Sequence, residues 1–133
     1  MKKNSVTAIF LLLCLFSFLH ADASQQPFPS LLSGVYLLEG SNPNSEKINY
    51  RGEVEIQSNG SNYILTWKIG NSQTQTGIGI LKDHILSVAY YDLSGRGSGV
   101  VSFCLIGPDK LEGSWAGYGT TSFGKEWLTF KHP

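Results

Sequence analysis

The segment Gly52-Glu53-Val54-Glu55-Ile56-Gln57-Ser58-Asn59-Gly60-Ser61-Asn62-Tyr63-Ile64-Leu65-Thr66-Trp67-Lys68-Ile69-Gly70 decides the fold. Two runs of β-prone residues flank Asn59-Gly60, a dipeptide suited to the positive φ of a tight hairpin turn. Each run alternates with period 2. Val54 and Ile56 oppose Glu53, Glu55 and Gln57, while Tyr63, Leu65, Trp67 and Ile69 oppose Ile64, Thr66 and Lys68. The pattern is a hairpin with one face toward a core and the other toward water.

The same rhythm runs from Gly34 to the C-terminus. Strands are expected over 34–40, 47–57, 62–69, 72–81, 84–91, 99–106, 110–116 and 123–131. Between them lie turn-forming stretches such as Ser41-Asn42-Pro43-Asn44-Ser45, Lys82-Asp83, Ser94-Gly95-Arg96-Gly97 and Gly107-Pro108-Asp109. Connections this short join neighbouring antiparallel strands. The expected fold is therefore all-β, a single eight-stranded up-and-down barrel, which leaves no open sheet edge. A two-sheet sandwich is the alternative, and it usually needs a long crossing connection. In the fifth strand Leu86, Val88 and Tyr90 share a face. In the last, Leu128 and Phe130 share one with Glu126, placing Trp127 on the outer wall.

The N-terminus reads differently. Met1-Lys2-Lys3-Asn4 is a basic start, Val6 to Leu19 is apolar, and Ala21-Asp22-Ala23 has the small-x-small form of a signal-peptidase site. The apolar run is shorter than a bilayer span requires. Residues 1–23 thus read as a helical signal peptide, 24–33 as a flexible leader with Pro27 and Pro29, and 34–131 as the barrel domain. The expected location is exported, periplasmic or secreted, with no stable membrane span after cleavage. Cleavage leaves about 110 of the 133 residues, enough for one modest core. Eight basic and nine acidic residues remain with no cluster of like charge, so nothing points to a nucleic-acid partner or an anionic membrane. Cys14 leaves with the signal peptide. Cys104 is then alone, forms no internal disulfide, and reads as a small core residue within Val100 to Ile106.

The search for chemistry returns little. His84 sits by a turn and His132 by the terminus, so neither joins a nucleophile–base–orienter set. Glu53 and Glu55 lie on the polar side of an amphipathic strand and read as solvated. No spacing of His, Cys, Asp and Glu calls for a metal, and no motif calls for a cofactor. Aromatic residues remain: three Trp and six Tyr, which pair a large apolar face with a polar handle. Trp115 and Tyr118, beside a glycine-rich loop, are the leading candidates for binding, followed by Trp67 and Tyr90 on inner strand faces.

Gly34-Val35-Tyr36, Glu39-Gly40-Ser41-Asn42-Pro43, Tyr50-Arg51-Gly52, Tyr63 with Leu65 and Trp67, Gly77-Ile78-Gly79 and Leu111-Glu112-Gly113-Ser114-Trp115 resemble a group of small exported bacterial β domains often labelled fibronectin-binding-like. The strand count and Gly-x-Trp rhythm also resemble, more distantly, the avidin and lipocalin barrels, though Gly34-Val35-Tyr36 stands where lipocalins have Gly-x-Trp. These resemblances imply a binding protein and carry over no binding residue. The expected function is a non-enzymatic barrel that recognises a protein or glycan of the envelope, host or extracellular space through loops at one barrel end. The alternative is a calycin-like carrier of a small apolar ligand in the interior.

Overall fold

The computed structural model describes residues 32–133. Eight antiparallel strands close into a barrel in sequence order: β1 (Gly34–Ser41), β2 (Tyr50–Asn59), β3 (Asn62–Ile69), β4 (Gln73–Lys82), β5 (Ile85–Asp92), β6 (Ser98–Leu105), β7 (Lys110–Gly117) and β8 (Gly124–His132). Each strand pairs with the next, and β8 pairs back onto β1 from Ser41↔Lys125 to Val35↔His132, with a register shift between Val35 and Tyr36. The up-and-down barrel expected from the hairpin rhythm is the fold, and the sandwich is excluded. The signal peptide and nearly all of the leader lie outside the described residues. Of the leader, Leu32 is buried in the core and Ser33 Oγ accepts a hydrogen bond from the Ser58 amide at 3.1 Å.

Two turns differ in detail from expectation. In the β2–β3 hairpin Asn59 pairs with Asn62, so the central residues are Gly60 and Ser61, and only Gly60 has positive φ, at 65°. That is the pattern of a turn with glycine at its first central position. In the β4–β5 hairpin His84 is not in the strand. It shares the turn with Asp83, both at positive φ, 49° and 76°. The second strand starts at Tyr50 rather than residue 47, because the Asn49 side chain accepts from the Asn42 amide at 2.7 Å and holds 42–49 as a loop.

Period 2 places the faces as anticipated. Val54, Ile56, Leu65, Trp67, Leu86, Val88, Val101, Phe103, Leu111 and Leu128 point inward and are buried. Glu53 and Glu55 are on the outer wall, where Glu53 pairs with Lys131 Nζ at 2.6 Å. Cys104 corrects the expectation of a core thiol. Val101, Phe103 and Leu105 take the inward parity of β6, so Cys104 falls on the outward one, half-buried opposite Ile85 and Glu112.

The interior is layered. Toward the end carrying the turns 60–61 and 83–84 it is packed with aliphatic and aromatic side chains, including Tyr36 edge-on to Phe130 with ring centroids 5.4 Å apart. Several inward positions of β4 and β7 are glycines that larger neighbours cover. Phe103 lies over Gly113, while Leu86, Val88 and Leu65 fill the space above Gly79. The other end carries the longer connections 42–49, 93–97 and 118–123.

Candidate functional site

Odd strands run toward this end and even strands start from it. Inward residues near the ends of β3, β5 and β7 therefore meet inward residues near the starts of β2, β4 and β8. The residues so gathered are Trp67, Tyr90 and Trp115 with Tyr50, Gln75 and Glu126, and they surround a cavity of about 260 Å³ that opens at the loops. Asn42, Asn49 and Gln73 stand around it as well, and Ile69 and Val101 complete the wall.

Three of the aromatic rings are seated by the strand register. Tyr50 pairs with Gly40, Tyr90 with Gly99, and Trp115 with Gly124. In each case a Cβ on the glycine would fall within the partner side chain's contact distance, at 1.9 Å from Tyr50 Cζ, 2.6 Å from the Tyr90 hydroxyl and 2.4 Å from the Trp115 indole. The rings occupy the space a side chain on each glycine would take, a way of supporting a strand at a glycine. Trp67 tilts against Tyr90, with centroids 6.1 Å apart.

At the centre is Glu126, 5 % exposed. One carboxyl oxygen accepts from the Tyr50 hydroxyl at 3.0 Å and the other from Trp67 Nε1 at 3.2 Å. Burial raises its pKa from the ordinary glutamate value to about 7, against the opposing pull of the two hydrogen bonds. At neutral pH the group is thus poised between its two forms. Burial, and then the Glu126 charge, push the hydroxyls of Tyr50 and Tyr90 upward, so both remain protonated donors. The Trp115 indole N–H sits near enough to the Tyr50 oxygen to favour its ionised form. It does not reach hydrogen-bond geometry, however, and its nitrogen is buried with no partner among the described residues.

Of the residues singled out from sequence, Trp67, Tyr90 and Trp115 are brought together around this cavity. Tyr118 is not. It projects from the 118–123 connection, 92 % exposed, beside a broader recess of about 780 Å³ that shares Gln73, Gln75 and Tyr90 with the cavity. Sequence reasoning missed Tyr50 and Glu126. A signal for Glu126 existed, since it shares the inward face of β8 with Leu128 and Phe130, and a carboxyl on a core face demands a reason. One existed for Tyr50 as well, since it lies within the expected second strand on the parity of Val54 and Ile56. His84 and His132 lie toward the opposite end of the barrel, and among the described residues no cluster of His, Cys, Asp and Glu is placed to hold a metal.

No family model and no curated protein matches the chain, so the fibronectin-binding-like label finds no support there. Solved structures do match. A redesigned β-barrel superposes with a TM-score of 0.69 at 15 % identity, over 77 % of this chain and 94 % of its own. EF1p2_mFAP2b, solved bound to DFHBI, gives 0.58 at 16 % identity over 77 % and 95 %. A de novo designed fluorescence-activating barrel gives 0.55 at 12 % identity over 74 % and 93 %. At these identities the likeness is one of fold: the chain is built as a small closed β-barrel with one open end.

Proposed function

We infer that this protein binds a small molecule in the cavity at the open end of its barrel. The observation that carries the reading is the cavity itself, walled by Tyr50, Trp67, Tyr90 and Trp115 around the buried Glu126. Concave sites lined by aromatic surface with a few convergent polar groups are the usual form of small-ligand pockets. The EF1p2_mFAP2b structure, a barrel of the same kind, is solved with a small molecule bound. The reading follows the carrier alternative more closely than recognition of a protein or glycan. That second reading keeps one specific support, the exposed rim aromatics Tyr118 and Phe123. In either case the protein acts after export, if residues 1–23 are the signal peptide their sequence resembles.

Native mass spectrometry of the protein purified from its own host tests the reading. The expected result is a retained small molecule that is lost in Val101→Phe, where the larger side chain fills the cavity. A protein free of small adducts, with a co-purifying macromolecule that survives Val101→Phe but is lost in Tyr118→Ala, would assign binding to the rim instead.

A further inference from the structure

We propose that the occupant of this cavity is a small organic amine bound as its cation, its charge against Glu126 and its apolar body against the aromatic walls. The inference rests on the small-molecule reading and narrows it to a ligand class.

Two features of the cavity lead there. First, Glu126 is the one charged side chain among the residues lining it, and no Lys, Arg or His joins them. The ion pairs of the described residues, Arg51–Glu39 and Lys131–Glu53, both lie on the outer wall. The carboxyl therefore faces the cavity without a protein cation. Its two oxygens each accept one hydrogen bond, from Tyr50 and Trp67, and a carboxylate offers about four acceptor positions. Acceptor capacity is left over for donors on a guest. An anionic guest would be repelled, and a purely apolar one would desolvate the carboxyl further while leaving its spare acceptor positions empty.

Second, the walls suit a cation. Tyr50, Trp67, Tyr90 and Trp115 present π faces or edges on several sides, and a desolvated ammonium over such rings is attracted by their quadrupoles.

The remaining titratable groups facing Glu126 are Tyr50 from β2 and Tyr90 from β5, and both stay neutral at ordinary pH. A bound cation favours the carboxylate, so amine binding is expected to strengthen as pH rises toward 8, whereas a neutral guest that accepts from the protonated acid would weaken.

The test is calorimetric titration of the full mature protein with an isosteric charge series: tyramine, 4-propylphenol and 3-(4-hydroxyphenyl)propionate, with further ring-bearing monoamines and their matched isosteres. The expected result is at least tenfold tighter binding of the amine than of either isostere, with the preference growing from pH 6 to pH 8. In Glu126→Gln the charge preference should vanish. In Trp115→Phe, which keeps an aromatic wall, it should persist. The wild-type series decides the matter even if Glu126→Gln fails to fold. Equal binding of neutral and cationic members would overturn the cation assignment while leaving the cavity a ligand site. If every member fails to bind while Val101→Phe still abolishes adducts from the native host, the ligand is of another class and the proposal falls.

Discussion

Glu126 is an unfavourable residue for stability where it stands, and that gives it a measurable signature. Its pKa in the folded protein, about 7, lies above the ordinary value of 4.5 that it regains on unfolding. Between those values the folded state holds more protons than the unfolded state, so stability falls as pH rises. The contribution is fully present below about pH 4.5 and is lost as pH climbs through 7, a swing of roughly 3 kcal/mol. Urea denaturation across pH 4.5–8 should show this decline, and Glu126→Gln should flatten it. Glu53 and Asp92 act in the opposite sense and in another window. Their pKa values are lowered, by the Lys131 hydrogen bond and the Ser94 hydrogen bonds respectively, so what they add is lost only as the solution becomes more acidic. A Glu126→Gln variant as pH-dependent as the wild type would show that Glu126 is not the buried acid. The parity of β8 revealed this residue's face from sequence alone. Its level in the barrel was not legible, because alternation says in or out and nothing about height along the axis.

Elements carry the next scale of explanation, since hairpins and cross-strand pairs are what seat the rings. The Asn59-Gly60 signal predicted the right hairpin but a turn one residue early. The pairing of Asn59 with Asn62, reinforced by a side-chain hydrogen bond at 3.0 Å, puts Gly60 first in the turn. A Cβ there meets nothing within 4 Å, yet φ is 65°. Gly60→Ala is therefore expected to cost about 1–2 kcal/mol by backbone conformation alone, with no change in ligand binding. Gly40→Ala makes the contrasting case. Its backbone tolerates alanine, but the new methyl would collide with the Tyr50 ring and must expel it from its seat across β1. We expect a loss of about 1–3 kcal/mol together with weakened binding in the cavity, read by thermal melts and calorimetry on the same sample. Unchanged binding would mean that the Tyr50 ring is not part of the site. These glycine–aromatic pairs were invisible in the sequence because they depend on register. The chain shows Gly40 and Tyr50 ten positions apart, and only the pairing of β1 with β2 sets one on the other.

At the level of the whole molecule, closure was the most legible property. Eight alternating segments with short connections admit few arrangements other than a meander, and joining β8 to β1 removes its free edges. Whether the interior is filled or hollow was not legible, because the strands mix large residues with glycine, and only their stacking by level separates a packed half from an open one. That division predicts how stability is distributed. Leu65 is fully buried in the packed half, and its side chain reaches over Gly79. A glycine has no side chain to relax into a void, so the cavity left by Leu65→Ala should stay open and the loss should fall in the upper part of the usual range of about 2–5 kcal/mol. Gln73 is exposed at the mouth of the open half, and Gln73→Ala should stay within about 0.5 kcal/mol of wild type. Equilibrium urea denaturation followed by both tryptophan fluorescence and circular dichroism checks the pair. The two probes should give coincident transitions in each variant, because Trp67 reports from the cavity floor while the closed ladder transmits its loss to every strand. A Leu65→Ala variant that loses tryptophan signal at a lower urea concentration than β signal would show that the open half melts on its own, and that one closed barrel does not behave as one cooperative unit.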